Sequence, residues 1–280
     1  MDMEIIRYPR TPHLEGSKLQ PGDSADGQMT IAAIRAAWPD ATWVSEEKLD
    51  GANCATFFSP RLDLMQQSRG HVLNGGAREA QFNIFKQWGR ATEADLLDRL
   101  EDRYRLYGEW CFAKHTQFYD AMPHYLHEFD IYDTRERIWL STRRRHALLD
   151  GLPLISVPVI GTEWPKDRKA LHAQVGPSVY RTENWRENLA IAAEAAGVRP
   201  EQALHEAGAD RKDADLAEGI YVKIEDADQV LARFKYVRAG FLQAILDSGT
   251  HWHARPIIQN GLLPGAELFS RAEASFGIST

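Results

Sequence analysis

The sequence predicts an α+β domain, and three observations predict it. Short runs rich in aromatic and β-branched residues end at Asp-Gly or proline turns, the pattern of antiparallel strands. Between them lie stretches with apolar residues three and four apart, the pattern of helices packed beside a sheet. A chain of 280 residues that is 44% apolar can bury a substantial core without disulfides or metal staples.

The elements follow in order. Residues 27–38 read as a helix, with Ile31, Ile34, Ala37 and Trp38 at helical spacing, stopped by Pro39-Asp40. Residues 42–48 and 53–58 read as strands joined at Asp50-Gly51, which predicts a hairpin with Lys48 at its mouth. Residues 62–68 continue the strand pattern, and residues 81–88 and 91–104 return to helical spacing. Residues 104–112 and 126–132 are aromatic and apolar enough for core strands. Prolines hold residues 153–159 extended. Residues 184–196 and 200–207 are alanine-rich helices inside a polar stretch, 166–213, that reads as an insertion. Residues 219–224 and 230–237 are strands again, and 241–246 is a helix in a tail otherwise rich in proline and glycine. The expected domain plan is a catalytic unit over 1–238 and a short helical tail over 239–280.

Composition narrows the function. The formal net charge of −7 argues against a broad basic face for non-specific nucleic-acid binding. It leaves room for one local phosphate contact, and Arg135, Arg137, Arg143, Arg144 and Arg145 are either that contact or a solvated helix face. Cys54 and Cys111 are too few for a disulfide scaffold or a four-cysteine zinc site and read as small buried residues. His124 with His127, and His251 with His253, lack a third ligand nearby. No apolar run suits a membrane span and no secretory leader is evident, so a reducing cytoplasm is the expected compartment. Walker, dinucleotide-binding and serine-elbow motifs are missing.

The segment with most chemistry is Glu47-Lys48-Leu49-Asp50-Gly51-Ala52-Asn53. A lysine at a strand end before a glycine turn presents its amine at the rim of a sheet. The neutral amine is a nucleophile. At an ordinary pKa near 10.4, freeing it at pH 7 costs about 4–5 kcal/mol. Burial or a neighbouring cation lowers that cost, whereas Asp50 raises it.

Five further segments accompany it in order: Gln67-Ser68-Arg69-Gly70, Tyr107-Gly108-Glu109-Trp110, Glu128-Phe129-Asp130-Ile131-Tyr132-Asp133, Glu218-Gly219-Ile220-Tyr221-Val222-Lys223 and Phe234-Lys235-Tyr236-Val237-Arg238. Together with Lys48-Leu49-Asp50-Gly51 they resemble motifs I, Ia, III, IIIa, IV and V of the covalent nucleotidyltransferases, the superfamily of ATP-dependent polynucleotide ligases and mRNA capping enzymes. Within it the chain is most similar to RNA ligases of the second phage type.

The resemblance implies an ATP-grasp-like adenylation domain without an OB-fold, because only 42 residues follow Arg238. It implies that Lys48 attacks the α-phosphorus of ATP and carries AMP. Phe129 would stack on adenine, or is simply a core aromatic. Glu109 would accept from the ribose hydroxyls, or forms a strand-end salt bridge. Glu218, with Glu109, would hold a hydrated Mg²⁺ or Mn²⁺. Lys235 would contact the α-phosphate. Glu47 and Lys223 belong to the nucleotide site on the same footing, and Asn53 and Arg69 would hold its phosphate and the RNA end. Motif V usually carries two lysines two positions apart, and here Val237 stands at the second. Arg233, Arg238 or Lys223 are the possible substitutes, although guanidinium and ammonium are not interchangeable. The implied activity is ATP-dependent joining of RNA 5′-phosphate and 3′-hydroxyl ends in RNA repair, beside an end-healing kinase or phosphatase. The rivals are a DNA-nick ligase, a GMP-transferring enzyme of the same superfamily, and a nucleotide-binding module without turnover.

Overall fold

The computed structural model describes residues 5–19, 28–247 and 256–269. His251, His253 and the first residue of the expected 27–38 helix lie outside them, as does much of the expected tail. Within them the fold is α+β, built on two mainly antiparallel sheets with helices around them.

The first sheet has the order β10-β9-β1-β8, from β1 (Thr42–Lys48), β8 (Val159–Gly161), β9 (Gly219–Glu225) and β10 (Val230–Val237). The second has the order β3-β2-β4-β5-β6, from β2 (Ala52–Phe58), β3 (Leu64–Ser68), β4 (Tyr104–Trp110), β5 (Leu126–Asp133) and β6 (Ile138–Trp139). β7 (Ile155–Ser156) pairs with β5 in parallel. The first sheet buries Trp43, Ile220, Val222, Ile224 and Phe234 against Ile31 and Ile34 of α1 (Ile31–Ala37). The second packs on α2 (Asn83–Ala91) and α3 (Glu93–Leu100), with Phe85, Trp88 and Trp110 fully buried.

The expected hairpin is corrected. β1 pairs with β8 and β9, whereas β2 pairs with β3 and β4. The chain therefore passes from one sheet to the other at Asp50-Gly51. A Cβ on Gly51 would lie 2.8 Å from the Trp110 carbonyl oxygen and 2.9 Å from Cys111 Sγ, so the crossing needs glycine. Asp50 fixes it by accepting from the backbone N–H groups of Thr116 and Gln117, both at 2.7 Å.

The arginine run is also corrected. Residues 142–149 form a helix, α4 (Thr142–Leu149), which the sequence offered only as one of two readings of the run. Arg145 on it is fully buried, 2.7 Å from Glu46 and 3.4 Å from Glu128. Arg135 pairs with Asp102, Arg144 with Glu136, and Arg143 donates to the Ala227 carbonyl. The run makes neither a phosphate patch nor a wholly solvated face.

Arg145 belongs to an ion network that joins the sheets. Glu46 and Lys223 from the first sheet lie 3.0 Å apart, and Arg233 of that sheet reaches Asp130 of the second at 2.9 Å. Three acids (Glu46, Glu128, Asp130) meet three bases (Arg145, Lys223, Arg233), so each of these buried groups has a partner of opposite charge. Pairing matters because one uncompensated buried ion costs several kcal/mol.

The 166–213 stretch holds α5 (Arg168–Ala173), α6 (Trp185–Ala195) and α7 (Pro200–Glu206). The last two share a small core with Phe118 and Ile258. The chain then returns through β9 and β10 to α8 (Ala239–Asp247). Residues 256–269 are not helical; Asn260 there accepts from Tyr119 N–H at 2.9 Å and donates to the Cys111 carbonyl at 2.8 Å. Among the described residues no helix is long and apolar enough to cross a membrane.

Candidate nucleotide site

Strand alternation aims one face of the first sheet at the second. Glu46 of β1, Tyr221 of β9 and Lys235 of β10 lie side by side in register, and Lys48 pairs with Gly219 one step further along. Ile220, Val222 and Ile224 point the other way into the core. From the second sheet Asn53 pairs with Glu109. These two faces enclose a cleft of about 1040 Å³.

Lys48, Glu47, Asn53, Arg69, Glu109, Phe129 and Lys235 all line this cleft. Glu218 lies at its edge, buried, with Oε1 2.7 Å from Lys48 Nζ. Lys223 does not line it. That side chain is fully buried, bonded to Glu46 and to the Phe129 carbonyl, so it braces the strand that carries Phe129. The candidates for the missing motif V lysine are also engaged elsewhere: Arg233 with Asp130, and Arg238 with Asp213 and the Ala217 and Leu216 carbonyls.

The electrostatics hold Lys48 as an ammonium. Burial works to lower its pKa, but the carboxylates of Glu218, Glu109 and Asp50 outweigh burial and raise it. Burial pushes Glu109 up to about 7, with Lys48 opposing and Glu218 reinforcing. Burial likewise pushes Glu218 up to about 7 against the pull of Lys48 and Lys235. Glu47 is raised by burial, although Ser178 and Val179 donate to it. The buried atoms Asn53 Oδ1, Glu47 Oε1 and Glu218 Oε2 have no hydrogen-bond partner, which marks the cleft walls as incomplete without a polar ligand.

Among the described residues, no three His, Cys, Asp or Glu side chains gather as a metal site. The donors fit a different kind of ion. Glu218 and Glu109 are the carboxylates of the cleft that would suit a hard cation such as Mg²⁺ or Mn²⁺, which takes oxygen ligands and retains several waters.

The sequence reading missed a whole wall. Tyr8, Pro9 and Thr11 line the cleft from the N-terminal segment. Tyr8 donates to Asp130 at 2.6 Å, and its ring stands edge-on to Phe129 with centroids 5.0 Å apart. The same segment is tied to β10: Lys235 N–H donates to the Pro12 carbonyl and Leu14 N–H to the Lys235 carbonyl. No periodicity in these residues could have shown this. Tyr221 was not singled out either, although it pairs in register with Glu46 and Lys235 on the cleft face.

An RNA ligase family model matches residues 41–237. That is most of the chain and contains every motif residue from Lys48 to Lys235, so the chain belongs to the RNA ligase family. No curated protein matches the sequence. The fold is similar to solved structures of Naegleria gruberi RNA ligase. With a lysine-to-methionine mutant bound to AMP and Mn, the TM-score is 0.50 at 15% identity, covering 85% of this chain and 64% of that one. With the ligase bound to pyrophosphate the values are 0.50 and 16%, covering 87% and 64%. An aspartate-to-alanine mutant without ligand gives 0.50 and 16%, covering 86% and 64%. This chain thus spans under two thirds of the ligases it matches.

Proposed function

We propose that the chain is an ATP-dependent RNA ligase that joins RNA 5′-phosphate and 3′-hydroxyl ends through AMP carried on Lys48, in RNA repair beside an end-healing kinase or phosphatase. Residues 1–238 carry the chemistry and 239–280 a supporting tail. The observation that supports this best is the convergence of Lys48, Glu218, Glu109, Asn53, Phe129 and Lys235 on one cleft between two sheets, inside the region matched by the family. The relatives of known structure include complexes with AMP and Mn and with pyrophosphate, which favours ATP and a divalent metal as the cofactors here.

The geometry suggests how the nucleophile is controlled. Without nucleotide, Lys48 is an ammonium locked to Glu218 and cannot attack. Two of the three acids that hold its proton would have other work once ATP enters: Glu109 would accept from the ribose hydroxyls, and Glu218 would be the residue to hold a divalent metal. A bound cation neutralises phosphate charge during in-line displacement. With the carboxylate field withdrawn, Lys48 loses its proton to solvent. The amine then forms a bond to the α-phosphorus as the bond to pyrophosphate breaks. Lys235, two strands away from Lys48 in the same sheet, offsets charge at the five-coordinate phosphorus. AMP passes next to the RNA 5′-phosphate, and a 3′-hydroxyl displaces it.

The test is incubation with a divalent metal and ATP labelled at the α-phosphate, followed by a denaturing gel. The parent should carry label that Lys48→Ala lacks. A parent that stays unlabelled with both Mg²⁺ and Mn²⁺, after stripping with pyrophosphate, refutes the proposal. Sealing of RNA against DNA nicks, and ATP against GTP as donor, separates it from the rival ligases and guanylyltransferases.

A further inference from the structure

A second hollow lies beside the cleft. It has a volume of about 390 Å³ and is walled by α2 on one side and by Leu73, Asn74 and Gly75 on the other. The two hollows share their border along the chain. Ser68, Arg69, His71, Gln81 and Phe82 line the cleft, and Leu73 and Asn83, two and one residues further, begin the groove.

The groove wall is polar and positive. Asn83, Lys86, Gln87 and Arg90 face it at spacings of three and four, one stripe of the helix, while Phe85 and Trp88 bury the opposite face. The Phe85 and Trp88 rings stack with centroids 5.8 Å apart, which fixes the rotation of the helix. The far wall is equally fixed. Glu79, buried, accepts from Gly75 N–H at 2.8 Å and Asn74 N–H at 3.2 Å and pairs with Lys86 at 3.2 Å. Gly75 at φ 105° takes a backbone shape that side chains rarely allow. Arg90 is exposed at one end of the stripe, and Arg69 is exposed at the rim shared with the cleft.

On a chain of net charge −7, a preformed groove with two cations and three amides opening beside the reactive lysine needs an explanation. A strand whose end reaches Lys48 must run out of the cleft, and its backbone carries one charge per nucleotide. From Asn83 to Arg90 the helix rises roughly 10 Å, about three phosphates at the spacing of a single strand. Lysine and arginine bind phosphate, and amides bind sugar and base edges.

We infer that this groove holds the sugar-phosphate backbone of the RNA strand leaving the cleft, with Lys86 and Arg90 as its phosphate contacts. The inference rests on the ligase reading for the identity of the ligand, but it is tested by binding alone.

The variants are Lys86→Ala/Arg90→Ala and, because loss of Lys86 releases Glu79, the single exposed change Arg90→Glu. Each is titrated against a short single-stranded RNA bearing a 5′-phosphate, at several salt concentrations, with lysine adenylylation run in parallel. The double variant should bind roughly tenfold more weakly and lose about 1.4 from the slope of log K against log salt, since each phosphate contact on a single strand contributes about 0.7. Arg90→Glu should weaken binding in the same direction. Adenylylation should stay within about twofold of the parent, because neither residue lines the cleft. Unchanged affinity and slope in both variants overturn the inference. Equal loss on an acidic peptide probe in place of RNA also overturns it, since the groove would then be a general anion site. A parent that binds RNA through these residues but never takes AMP refutes the ligase reading and leaves the groove standing.

Discussion

Replacing Gly219 by alanine is a sharp test of how the site is built. Gly219 follows Glu218 and starts β9, paired with Lys48 on one side and Val237 on the other. A Cβ there would sit 1.8 Å from the Tyr236 carbonyl oxygen and 2.9 Å from its carbon. Real Cβ atoms essentially never come within 3.0 Å, and the obstacle is backbone, so β9 and β10 must part by more than 1 Å at this point. The 2.7 Å Glu218–Lys48 contact lies one residue away and moves with it. Overpacking of this kind costs about 1–3 kcal/mol, which lowers the melting temperature by about 2–4 °C per kcal/mol. The larger effect falls on chemistry, because a misplacement near 1 Å can slow a reaction about 100-fold. Gly161 in β8 is the control: its Cβ would meet nothing within 4 Å, so Gly161→Ala should melt and react like the parent. The assay is single-turnover transfer of labelled AMP to protein, beside thermal unfolding. Gly219→Ala that folds and labels at the parental rate would show that the Glu218–Lys48 geometry is not what sets the reaction.

Three further predictions follow from the same contacts. Glu109, Glu128 and Glu218 are each raised to about 7, first by burial, from the ordinary glutamate value of 4.5. The folded chain therefore keeps protons that the unfolded chain has lost, and the stability they contribute disappears as pH rises through 7; melting temperature should fall from pH 5 to 8, and Glu218→Gln should flatten the slope. Arg145→Met strips Glu128 of its ion-pair partner and leaves Glu46 with Lys223 alone, a loss of about 3–5 kcal/mol by chemical denaturation, and adding Glu128→Gln should recover part of it. Tyr8→Ala removes the edge contact that steadies Phe129, worth about 0.5–1.5 kcal/mol for an aromatic pair; it should raise KM for ATP several-fold while leaving kcat nearly unchanged, and a fall in kcat alone would contradict it.

Legibility in the sequence was uneven, and the pattern has physical causes. β1 and β10 agree with their expected spans because turn residues mark their limits, Pro39-Asp40 and Asp50-Gly51 around β1 and the Asp226–Asp228 stretch before β10. The pairing of β1 was misjudged because Asp-Gly suits a hairpin and also suits a sharp passage between sheets; local turn chemistry does not say which partner a strand takes. α4 was legible only as one of two alternatives because Thr142-Arg143-Arg144-Arg145-His146 has no apolar stripe. Its buried face is a guanidinium, made tolerable only by carboxylates 99 and 17 residues away in the chain. The candidate site was visible through the joint resemblance of its motifs, not through any one residue. Lys223 shows the limit of that route, since matching motif IV did not reveal that its amine faces the ion network and not the cleft.

The passage at Asp50-Gly51 ties these points together. Had β1 and β2 formed a hairpin, Lys48 would face its partners across a single sheet, with room for acids on one side only. Because the chain changes sheets there, Lys48 meets Glu218 from the sheet it leaves and Glu109 from the sheet it enters. The ion network holds those sheets together directly behind the cleft. No group of that network is among the main influences on Lys48. The charge state of Lys48 is left to Glu218, Glu109 and Asp50, the groups beside it.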